Sequence, residues 1–304
     1  MRTPLRQSRK VGVIGLGSMG LGMARALLRA GFEVHGCDVR PEAVEAMVRD
    51  GGRAAASPAE LASRVDDAIT VVVNAEQTEE VLFGAAGAAR AMRPGCAIVT
   101  SATVPPDYAA GVGERLAAMG LLHVDAPISG GAVRAAAGQL SIMASGSPAA
   151  FERCGQILEA LADKVHRLGD ASGLGSKVKM VNQLLAGVHI AAAAEAMAFC
   201  LKEGADPQAT YDVICASAGS SWMFQNRVPH ILAGDYAPLS AVSIFVKDLG
   251  IVLDAARQLE LGLPLTAAAH QLFLMAAAAG YGAEDDAAVV KVFPGVKLPG
   301  PKKA

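Results

Sequence analysis

A glycine-rich turn near the start of the chain constrains its fold more than any other feature. Residues 11–14 are apolar, and the turn Gly15-Leu-Gly-Ser-Met-Gly20 follows them at once. Residues 19–30 then place apolar side chains at helical spacing and stop at Gly31. A short apolar run bounded by glycine is typical of a buried parallel strand, and glycine commonly ends a helix. The sequence therefore predicts a strand, a tight turn and a helix in direct succession.

Further apolar runs follow, and segments with helical spacing separate them. The runs are residues 32–37, 69–73, 97–99, 121–125, 140–144 and 165–168. Alternating strands and helices predict a doubly wound parallel sheet. After Gly173 the pattern changes to helices alone, at residues 175–203, 207–216, 245–259 and 264–278. We therefore predict an α/β domain over residues 1–172 and an all-α domain over residues 173–304.

The composition argues against several kinds of partner and site. The net charge is −2 at pH 7 and no long basic run occurs, so neither nucleic acid nor an anionic membrane is expected as a partner. The five cysteines form no Cys-x-x-Cys pair and the six histidines form no His-Glu-x-x-His motif, so no metal site is predicted. Scattered thiols are typical of a reducing compartment, which predicts a cytoplasmic protein.

One segment is unusually apolar on all sides. Residues 184–201 contain only His189 and Glu195 as strongly polar interruptions. The segment is slightly short for a membrane span, which needs about 20 apolar residues. A helix that is apolar all round is typical of a buried position, and one small helical domain offers too little surface to cover it. The sequence therefore predicts a homodimer or homotetramer in which this helix is covered.

The spacing of the glycines in the first turn matches a dinucleotide-binding fingerprint. The first glycine allows the turn, the second lets the backbone approach a pyrophosphate, and the third lets helix and strand pack closely. The following helix offers N–H groups to the phosphates. Asp38, eighteen residues after Gly20, suits a ribose 2′-hydroxyl, whereas Arg40 suits a 2′-phosphate. Because an acid at this position repels a 2′-phosphate, NAD is predicted rather than NADP.

A second glycine turn is a candidate for substrate binding. The segment Asp125-Ala-Pro-Ile-Ser-Gly-Gly131 follows a predicted strand. Its glycines leave backbone N–H groups unobstructed, and the Ser129 hydroxyl adds a donor, which together suit a carboxylate. By itself this segment is equally compatible with an ordinary loop.

A lysine on the predicted helix after Gly173 is a candidate for catalysis. Lys179 shares a face with Asn182 and Gln183, because residues three and four apart are neighbours on a helix. Lys177 points away from that face and is interpreted as a solvated surface charge. A further pair, Lys247-Asp248, interrupts an apolar helical segment and is either functional or a structural ion pair, since buried charge is costly unless paired.

Taken in order, these segments resemble the β-hydroxyacid dehydrogenases, a family that includes 3-hydroxyisobutyrate dehydrogenase and tartronate semialdehyde reductase. The resemblance rests on the glycine fingerprint, Asp-Ala-Pro-x-Ser-Gly-Gly, Gly-x-Gly-x-x-x-Lys and Lys-Asp-Leu, and it extends from Val11 to about Phe293. It implies a Rossmann-type NAD-binding domain followed by an all-α domain. It also implies that the chain transfers a hydride from the hydroxyl-bearing carbon of a small hydroxy acid to NAD, with Lys179 as the general base.

The resemblance assigns binding residues as well. For the substrate it implies Ser129, Gly130, Gly131, Asn182 and Gln183. For the cofactor it implies Gly15, Leu16, Gly17, Ser18, Met19, Gly20, Asp38, Val39, Asn74, Ala75, Thr103, Lys247 and Asp248. The chain departs from the usual family pattern at Gln183, where many members have asparagine, and at Ile128, where valine is usual. We relate the first departure to the length of the substrate.

Within the family, residues 73–78, 185–195 and 221–230 are most similar to the branch that oxidises L-threonate, a four-carbon sugar acid, to its 2-oxo acid. Trp222 is then expected to line a pocket for the extra hydroxyl groups. The alternatives on the same scaffold are oxidation of 3-hydroxyisobutyrate and reduction of tartronate semialdehyde, other semialdehydes or imines. A remote alternative is a non-catalytic NAD-binding module. Lys179 argues against the imine reductases and the non-catalytic module, and Asp38 argues against NADPH-dependent reductases.

Overall fold

The structure is a computed structural model, and it describes residues 9–300. Its strands are β1 (Lys10–Ile14), β2 (Glu33–Cys37), β3 (Arg53–Ala54), β4 (Asp67–Thr70), β5 (Ala97–Thr100), β6 (Leu122–Asp125), β7 (Ile128–Ser129), β8 (Leu140–Gly146) and β9 (Ala162–Arg167). Its helices are α1 (Ser18–Arg29), α2 (Pro41–Arg49), α3 (Pro58–Arg64), α4 (Ala75–Phe83), α5 (Pro106–Ala118), α6 (Gly131–Ala137), α7 (Pro148–Leu161), α8 (Leu174–Glu203), α9 (Pro207–Cys215), α10 (Trp222–Ala233), α11 (Val242–Gln258) and α12 (Pro264–Ala276). A π-helical turn (Ala277–Tyr281) and a 3-10 helix (Asp286–Val292) follow α12.

The strands of the N-terminal part form one doubly wound sheet. Its order is β3-β2-β1-β4-β5-β6-β8-β7, and β9 pairs with β8. The first six strands are parallel, so their carboxyl ends meet at one edge. The chain reverses its direction of winding at β1, which lies between β2 and β4, and such a reversal opens the crevice where ligands bind in open α/β sheets. The predicted fold class is confirmed.

Strand β1 and helix α1 form because their apolar residues face the same core. Val11 and Val13 of β1 and Leu27 of α1 are fully buried, and each such side chain contributes roughly 1.5–3 kcal/mol to folding. Helix α1 also packs closely on α6, since a Cβ on Gly22 would lie 2.8 Å from the backbone nitrogen of Ala136. The helix after the first glycine turn therefore supports the helix after the second.

Three elements of this sheet region escaped the sequence prediction. Strands β3 and β7 have two residues each, which is too short to show a period of two. Helix α6 has seven residues and is mostly alanine and glycine, so it presents no apolar stripe to recognise. Strand β8 is antiparallel to β6 and β7 and parallel to β9, so this side of the sheet is mixed.

The C-terminal part is helical, as predicted. Its core is built on the later turns of α8 and on α10, α11 and α12, and includes the stacked rings of Phe245 and Phe273, whose centroids are 5.2 Å apart. Helix α10 was missed by the sequence prediction because Pro229 lies inside it. An internal proline removes a backbone hydrogen bond and normally ends a helix, so the pattern predicts a break there.

Contacts within the chain divide it into two units, Met1–Lys179 and Met180–Ala304. The division lies inside α8, so the helix begins in the first unit and ends in the second. The predicted boundary between residues 172 and 173, which coincides with the loop before this helix, stays a prediction. Among the described residues, α8 is the one helix that is long and apolar enough to cross a membrane, and half of its most apolar window is already buried inside the protein.

Candidate active site

The first glycine turn, residues 15–20, follows β1 at the carboxyl edge of the sheet. Gly15 has a φ of +92°, which L side chains rarely adopt, and a Cβ there would overlap the carbonyl oxygen of Val71. Its N–H donates to the carbonyl of Cys37 at 2.9 Å, which ties the turn to the end of β2. A Cβ on Gly20 would overlap the carbonyl oxygen of Gly15. The protein itself therefore requires glycine at these two positions.

Gly17 differs from the other two glycines because it faces open space. Its φ is −62°, and the nearest described atom to a Cβ placed there is a guanidinium nitrogen of Arg40, 3.8 Å away. It precedes α1, whose first N–H groups receive no side-chain cap from the described residues. A helix N-terminus of this kind binds phosphate through its N–H groups and dipole. The missing side chain and the uncapped donors fit the pyrophosphate of a dinucleotide.

Asp38 follows β2 and is tied directly to the first glycine turn. Its carboxylate accepts from the backbone N–H of Leu16 at 2.6 Å and from that of Arg40 at 2.9 Å. Burial raises the pKa of Asp38, but these bonds and the Arg40 side chain outweigh burial and lower its pKa overall. The group is therefore ionised at neutral pH and can accept ribose hydroxyls. Val39, beside it, is almost fully exposed.

The remaining cofactor candidates of the first unit lie after β4 and β5. Asn74 caps α4, because its side-chain oxygen accepts from the backbone N–H of Gln77 at 2.8 Å. Ala75 begins that helix, and its carbonyl accepts from the Tyr108 hydroxyl at 3.0 Å. Thr103 lies in the loop between β5 and α5. All three stand at the same carboxyl edge as the first glycine turn, since β1, β4 and β5 are parallel neighbours. Of the first turn's other residues, Leu16 is buried, Ser18 exposed and Met19 half-buried.

The second glycine turn, residues 129–131, joins β7 to α6. Gly130 and Gly131 have φ values of +137° and +75°, so both need the conformational freedom of glycine. A Cβ on Gly131 would meet no atom of the described residues within 4 Å. Gly131 is the first residue of α6, which again aims helix N–H groups at open space. The turn can bind an anion in the way that the sequence suggested for a carboxylate.

Lys179 is placed beside the second glycine turn. Its side chain is 6% exposed, and its Nζ atom donates to the carbonyl oxygen of Ile128 at 2.9 Å. Ile128 directly precedes Ser129, so the amine lies next to the residues that can hold an anion. Lys177, on the same helix, is exposed as the helical geometry predicted. A buried amine beside an anion-binding turn is suited to proton transfer.

The candidates of the second unit form a hydrogen-bonded chain. The Asn182 amide donates to Gln183 at 2.9 Å, and the Gln183 amide donates to Asp248. The other oxygen of Asp248 pairs with Lys247 at 2.8 Å. Asp248 is 2% exposed and its neighbours supply both partners, so it orients Gln183 and Lys247. Trp222 begins α10 and is half-exposed.

Family profiles match almost all of the chain. The NAD-binding domain of 6-phosphogluconate dehydrogenase matches residues 10–169. The NAD-binding domain of NADP-dependent 3-hydroxyisobutyrate dehydrogenase matches residues 173–293. The chain belongs to the β-hydroxyacid dehydrogenase family. This dehydrogenase is therefore an oxidoreductase that uses a nicotinamide dinucleotide and acts on the hydroxyl-bearing carbon of a hydroxy acid, as the sequence resemblance implied.

Individual relatives of this dehydrogenase are similar over their full length. An L-threonate dehydrogenase from Cupriavidus necator is 64% identical over 293 residues, which cover 96% of this chain and 99% of the relative. An L-threonate dehydrogenase from Escherichia coli strain K12 is 49% identical over 96% of this chain and 97% of its own length. The crystal structure of a 3-hydroxyisobutyrate dehydrogenase from Salmonella typhimurium is 50% identical with a TM-score of 0.90, and it covers 94% of this chain and 100% of its own.

Sequence reasoning missed one buried group of this dehydrogenase. Asp125, at the end of β6, is 1% exposed and accepts hydrogen bonds from the start of α8. The sequence signal was available, because a carboxylate at the carboxyl end of a central strand stands next to the Ser129 turn. From the sequence, Asp125 is recognisable only as part of the motif, since no periodic pattern indicates which helix a strand-end carboxylate contacts.

Proposed function

We propose that this dehydrogenase oxidises L-threonate at C2 to the 2-oxo acid, with NAD as the hydride acceptor and Lys179 as the general base. One observation carries the proposal: the buried Nζ atom of Lys179 is held 2.9 Å from the carbonyl of Ile128, directly beside Ser129. The full-length similarity to two L-threonate dehydrogenases supports the choice of substrate.

The second glycine turn binds the carboxylate of the substrate. The Ser129 hydroxyl and the N–H groups of Gly130 and Gly131 donate to its oxygens, and the open space at Gly131 accommodates them. This anchoring directs the C2 hydroxyl toward Lys179. Neutral Lys179 donates one N–H to the Ile128 carbonyl and keeps its lone pair for the hydroxyl proton. In the reverse direction the protonated amine returns that proton to the oxygen.

The first glycine turn and Asp38 hold the dinucleotide. The N–H groups at the start of α1 bind the pyrophosphate beside Gly17, and the Asp38 carboxylate accepts from the ribose hydroxyls. When bound there, NAD would supply the acceptor for the hydride of C2, and Lys179 takes the hydroxyl proton. We assign the other cofactor contacts to Leu16, Ser18, Met19, Val39, Asn74, Ala75, Thr103, Lys247 and Asp248. Asp248 acts here through Lys247, which it pairs with.

Asn182, Gln183 and Trp222 complete the substrate contacts in this proposal. Asn182 and Gln183 lie three and four residues after Lys179 on one continuous helix, so their amides follow the lysine by one turn. The Gln183 carbonyl accepts from Asn182, which leaves the second N–H of the Asn182 amide to donate to a substrate oxygen. The half-exposed ring of Trp222 is available to cover the hydroxylated end of a sugar acid.

Initial rates of NAD reduction against a panel of hydroxy acids test the substrate. The panel contains L-threonate, D-threonate, D-erythronate, glycerate and 3-hydroxyisobutyrate. We expect the highest kcat/KM for L-threonate. A preference for 3-hydroxyisobutyrate, the substrate named for the Salmonella relative, would retain the mechanism and replace the substrate. Turnover of none of the acids by a protein that binds NADH would favour a semialdehyde substrate or the non-catalytic module.

Replacing the lysine tests the mechanism. Lys179→Ala should lower kcat by about 10³-fold, because general base catalysis contributes roughly 10²–10⁴. NADH affinity should stay within threefold, since the first glycine turn and Asp38 are unchanged. Lys177→Ala is the matched control, because Lys177 lies two residues away on the same helix and is exposed. A Lys179→Ala enzyme with wild-type kcat would remove the lysine from this role.

Asp38 makes NAD the preferred dinucleotide in this proposal. Its carboxylate is ionised and 9% exposed, so a 2′-phosphate placed there would be repelled by it and would have to compete with it for Arg40, which lies 3.3 Å from Asp38. We expect kcat/KM for NAD to exceed that for NADP by about 10²-fold. Asp38→Ala should lower this ratio, because it weakens the binding of NAD. A wild-type enzyme that reduces NADP equally well would show that Arg40 holds the phosphate instead.

We also propose that the dehydrogenase is a cytoplasmic homodimer or homotetramer. Phe199 of α8 and Leu265 of α12 are 66% and 71% exposed, and they line an apolar groove of about 380 Å³. A second copy of this chain would cover both side chains. Light scattering should show a dimer or tetramer, and Phe199→Glu should shift the protein toward monomer. A monomeric wild-type protein would contradict the proposal.

A further inference from the structure

A buried carboxylate lies behind the base without touching substrate in the mechanism above. Both oxygens of Asp125 are engaged by the start of α8. Oδ2 accepts from the backbone N–H groups of Gly173 at 3.0 Å and Ser176 at 2.9 Å, and Oδ1 accepts from the Ser176 hydroxyl at 2.8 Å. The Ser145 hydroxyl, 3.3 Å from Oδ2, also bonds the N–H of Gly175 at 2.9 Å. One carboxylate thus caps the first turn of a 30-residue helix.

The same chain segment holds this helix at a second point. Ile128 stands three residues after Asp125, and its carbonyl accepts from Lys179 at 2.9 Å. Ser176 and Lys179 are three residues apart on α8, so both contacts lie on one face of the helix. Residues 125–128 therefore hold α8 at two points, the Asp125 carboxylate and the Ile128 carbonyl. The Lys179 amine makes the second of these two contacts.

Close packing at the start of α8 makes these two contacts rigid. A Cβ on Gly175 would overlap the carbonyl oxygen of Met143 and lie 2.9 Å from the carbonyl oxygen of Asp125. The helix backbone therefore lies directly against β6 and β8. Leaving a buried N–H or carboxylate unpaired is costly, so the capped arrangement excludes neighbouring positions of this turn. A shift of about 1 Å at a catalytic group can cost 10²-fold in rate.

We infer that Asp125, with Ser176, is a positioning residue for the dehydrogenase reaction: it fixes the first turn of α8 so that the Lys179 amine lies beside Ser129. This inference rests on the proposed role of Lys179. The burial that raises the pKa of Asp125 is consistent with a carboxylate whose partners are all supplied by the protein. Its function is to hold the base at the correct distance from the substrate hydroxyl.

The test compares Asp125→Ala, Asp125→Asn and Ser176→Ala with saturating NAD and L-threonate. We expect Asp125→Ala to lower kcat by about 10²-fold and Ser176→Ala by about fivefold. Asp125→Asn should recover most of the rate, because its amide oxygen can accept both backbone N–H groups while its amide NH2 group donates to the Ser176 hydroxyl oxygen. NADH affinity should stay within threefold in all three. Ser147→Ala is the matched control, because Ser147 caps α7 in the same way through Ala150.

Two readouts separate positioning from a loss of folded enzyme. Substrate deuterated at C2 should show a larger isotope effect on kcat in Ser176→Ala than in wild type, because hydride transfer becomes more rate-limiting when the base is displaced. A smaller active fraction leaves the isotope effect unchanged. In the Lys179→Ala background, Asp125→Ala should cost less than threefold, since it acts through the lysine.

The outcomes are distinguishable. An unchanged isotope effect in Ser176→Ala, or a full 10²-fold additional loss in the double variant, overturns the positioning role while Lys179 stays the base. Wild-type kcat in Lys179→Ala alone overturns the proposed function itself. If Asp125→Ala does not fold, Ser176→Ala and Asp125→Asn carry the test.

Discussion

The two glycine turns use glycine for different reasons. In the first turn, Gly15 and Gly20 are required by the protein, because side chains there would overlap backbone oxygens, whereas Gly17 faces open space with an ordinary φ. In the second turn, Gly130 and Gly131 are required by backbone conformation, and Gly131 also faces open space. Gly17 has neither a positive φ nor a close contact that requires glycine, and Gly131 leaves open space beside a backbone that requires it. We propose that the cofactor approaches the first of these positions and the substrate the second.

The largest effect is expected where the protein itself excludes a side chain. Gly20→Ala should destabilise the protein by about 4 kcal/mol or more, because neither α1 nor the Gly15 carbonyl can move without disturbing the buried β1. Urea unfolding measures the change. Gly111→Ala is the control, since it also lies within a helix but meets no described atom within 4 Å, and alanine there should stabilise the protein. Equal unfolding midpoints for the two variants would contradict the steric argument.

The buried histidine on the strand that leads to the second turn should make the stability of the protein depend on pH. His123, on the strand that leads to the second turn, bonds Thr100 and Ser172 through its two ring nitrogens, and burial lowers its pKa to about 4. The unfolded chain, with a histidine pKa near 6.5, binds the proton more tightly than the folded protein between these values. The contribution of His123 to the free energy of unfolding is therefore fully present above pH 6.5. It is lost, by about 3 kcal/mol in all, as the pH drops toward 4.

Unfolding free energies of wild type and His123→Gln across this window check the slope. Glutamine retains an amide for hydrogen bonding and does not titrate, so the difference between the two curves isolates the histidine. Parallel curves would show that His123 does not titrate differently in the folded and unfolded states.

A side chain at the open glycine of the second turn should affect the hydroxy acid. Gly131→Ala places a methyl group where the carboxylate is proposed to lie and forces a φ of +75° on alanine. We expect kcat/KM for the acid to fall by about 10²-fold and stability by about 1–2 kcal/mol. NADH affinity, measured by fluorescence titration, should be unchanged. If NADH affinity fell and KM for the acid did not, the two turns would have been assigned to the wrong partners.

The smallest effect on the fold is expected at Gly17. Alanine fits its backbone conformation, so Gly17→Ala should change the unfolding free energy by less than about 1 kcal/mol. The added methyl group should still raise the Kd for NADH about tenfold, because it occupies the approach to the pyrophosphate. Gly155→Ala, at another open glycine on α7, should leave this Kd unchanged. Wild-type affinity in Gly17→Ala would place the phosphates elsewhere.

Sequence reasoning predicted the sheet because parallel strands are short apolar runs. Val11 and Val13 are buried on one face of β1 and Ile14 on the other, so the strand is visible as an apolar run rather than as an alternation. The same reasoning could separate Lys179 from Lys177 by helical spacing alone. It could not distinguish Gly17 from Gly15 and Gly20, since three identical residues in a sequence do not show which atoms surround each of them in the fold.

Contacts between distant segments were the other part that the sequence could not supply. The bonds from Asp125 to Ser176 and from Ile128 to Lys179 each join residues 51 positions apart, and no local period records them. The prediction missed helix α10 for a different reason. Proline normally ends a helix, but the tertiary packing of Val228 and Ile231 maintains this helix through Pro229.

The Cys37 thiol, at the end of β2 next to the first glycine turn, can report how often this edge of the sheet opens. Cys37 is 5% exposed, its carbonyl accepts the Gly15 N–H, and burial raises its pKa to about 12. A thiol reagent therefore reaches it only when the end of β2 opens, while the partly exposed Cys215 reacts first. With the other buried thiols, Cys96, Cys154 and Cys200, replaced by alanine, the slow phase of thiol labelling measures how often the dinucleotide-binding edge of the sheet opens, and bound NADH should lengthen that interval.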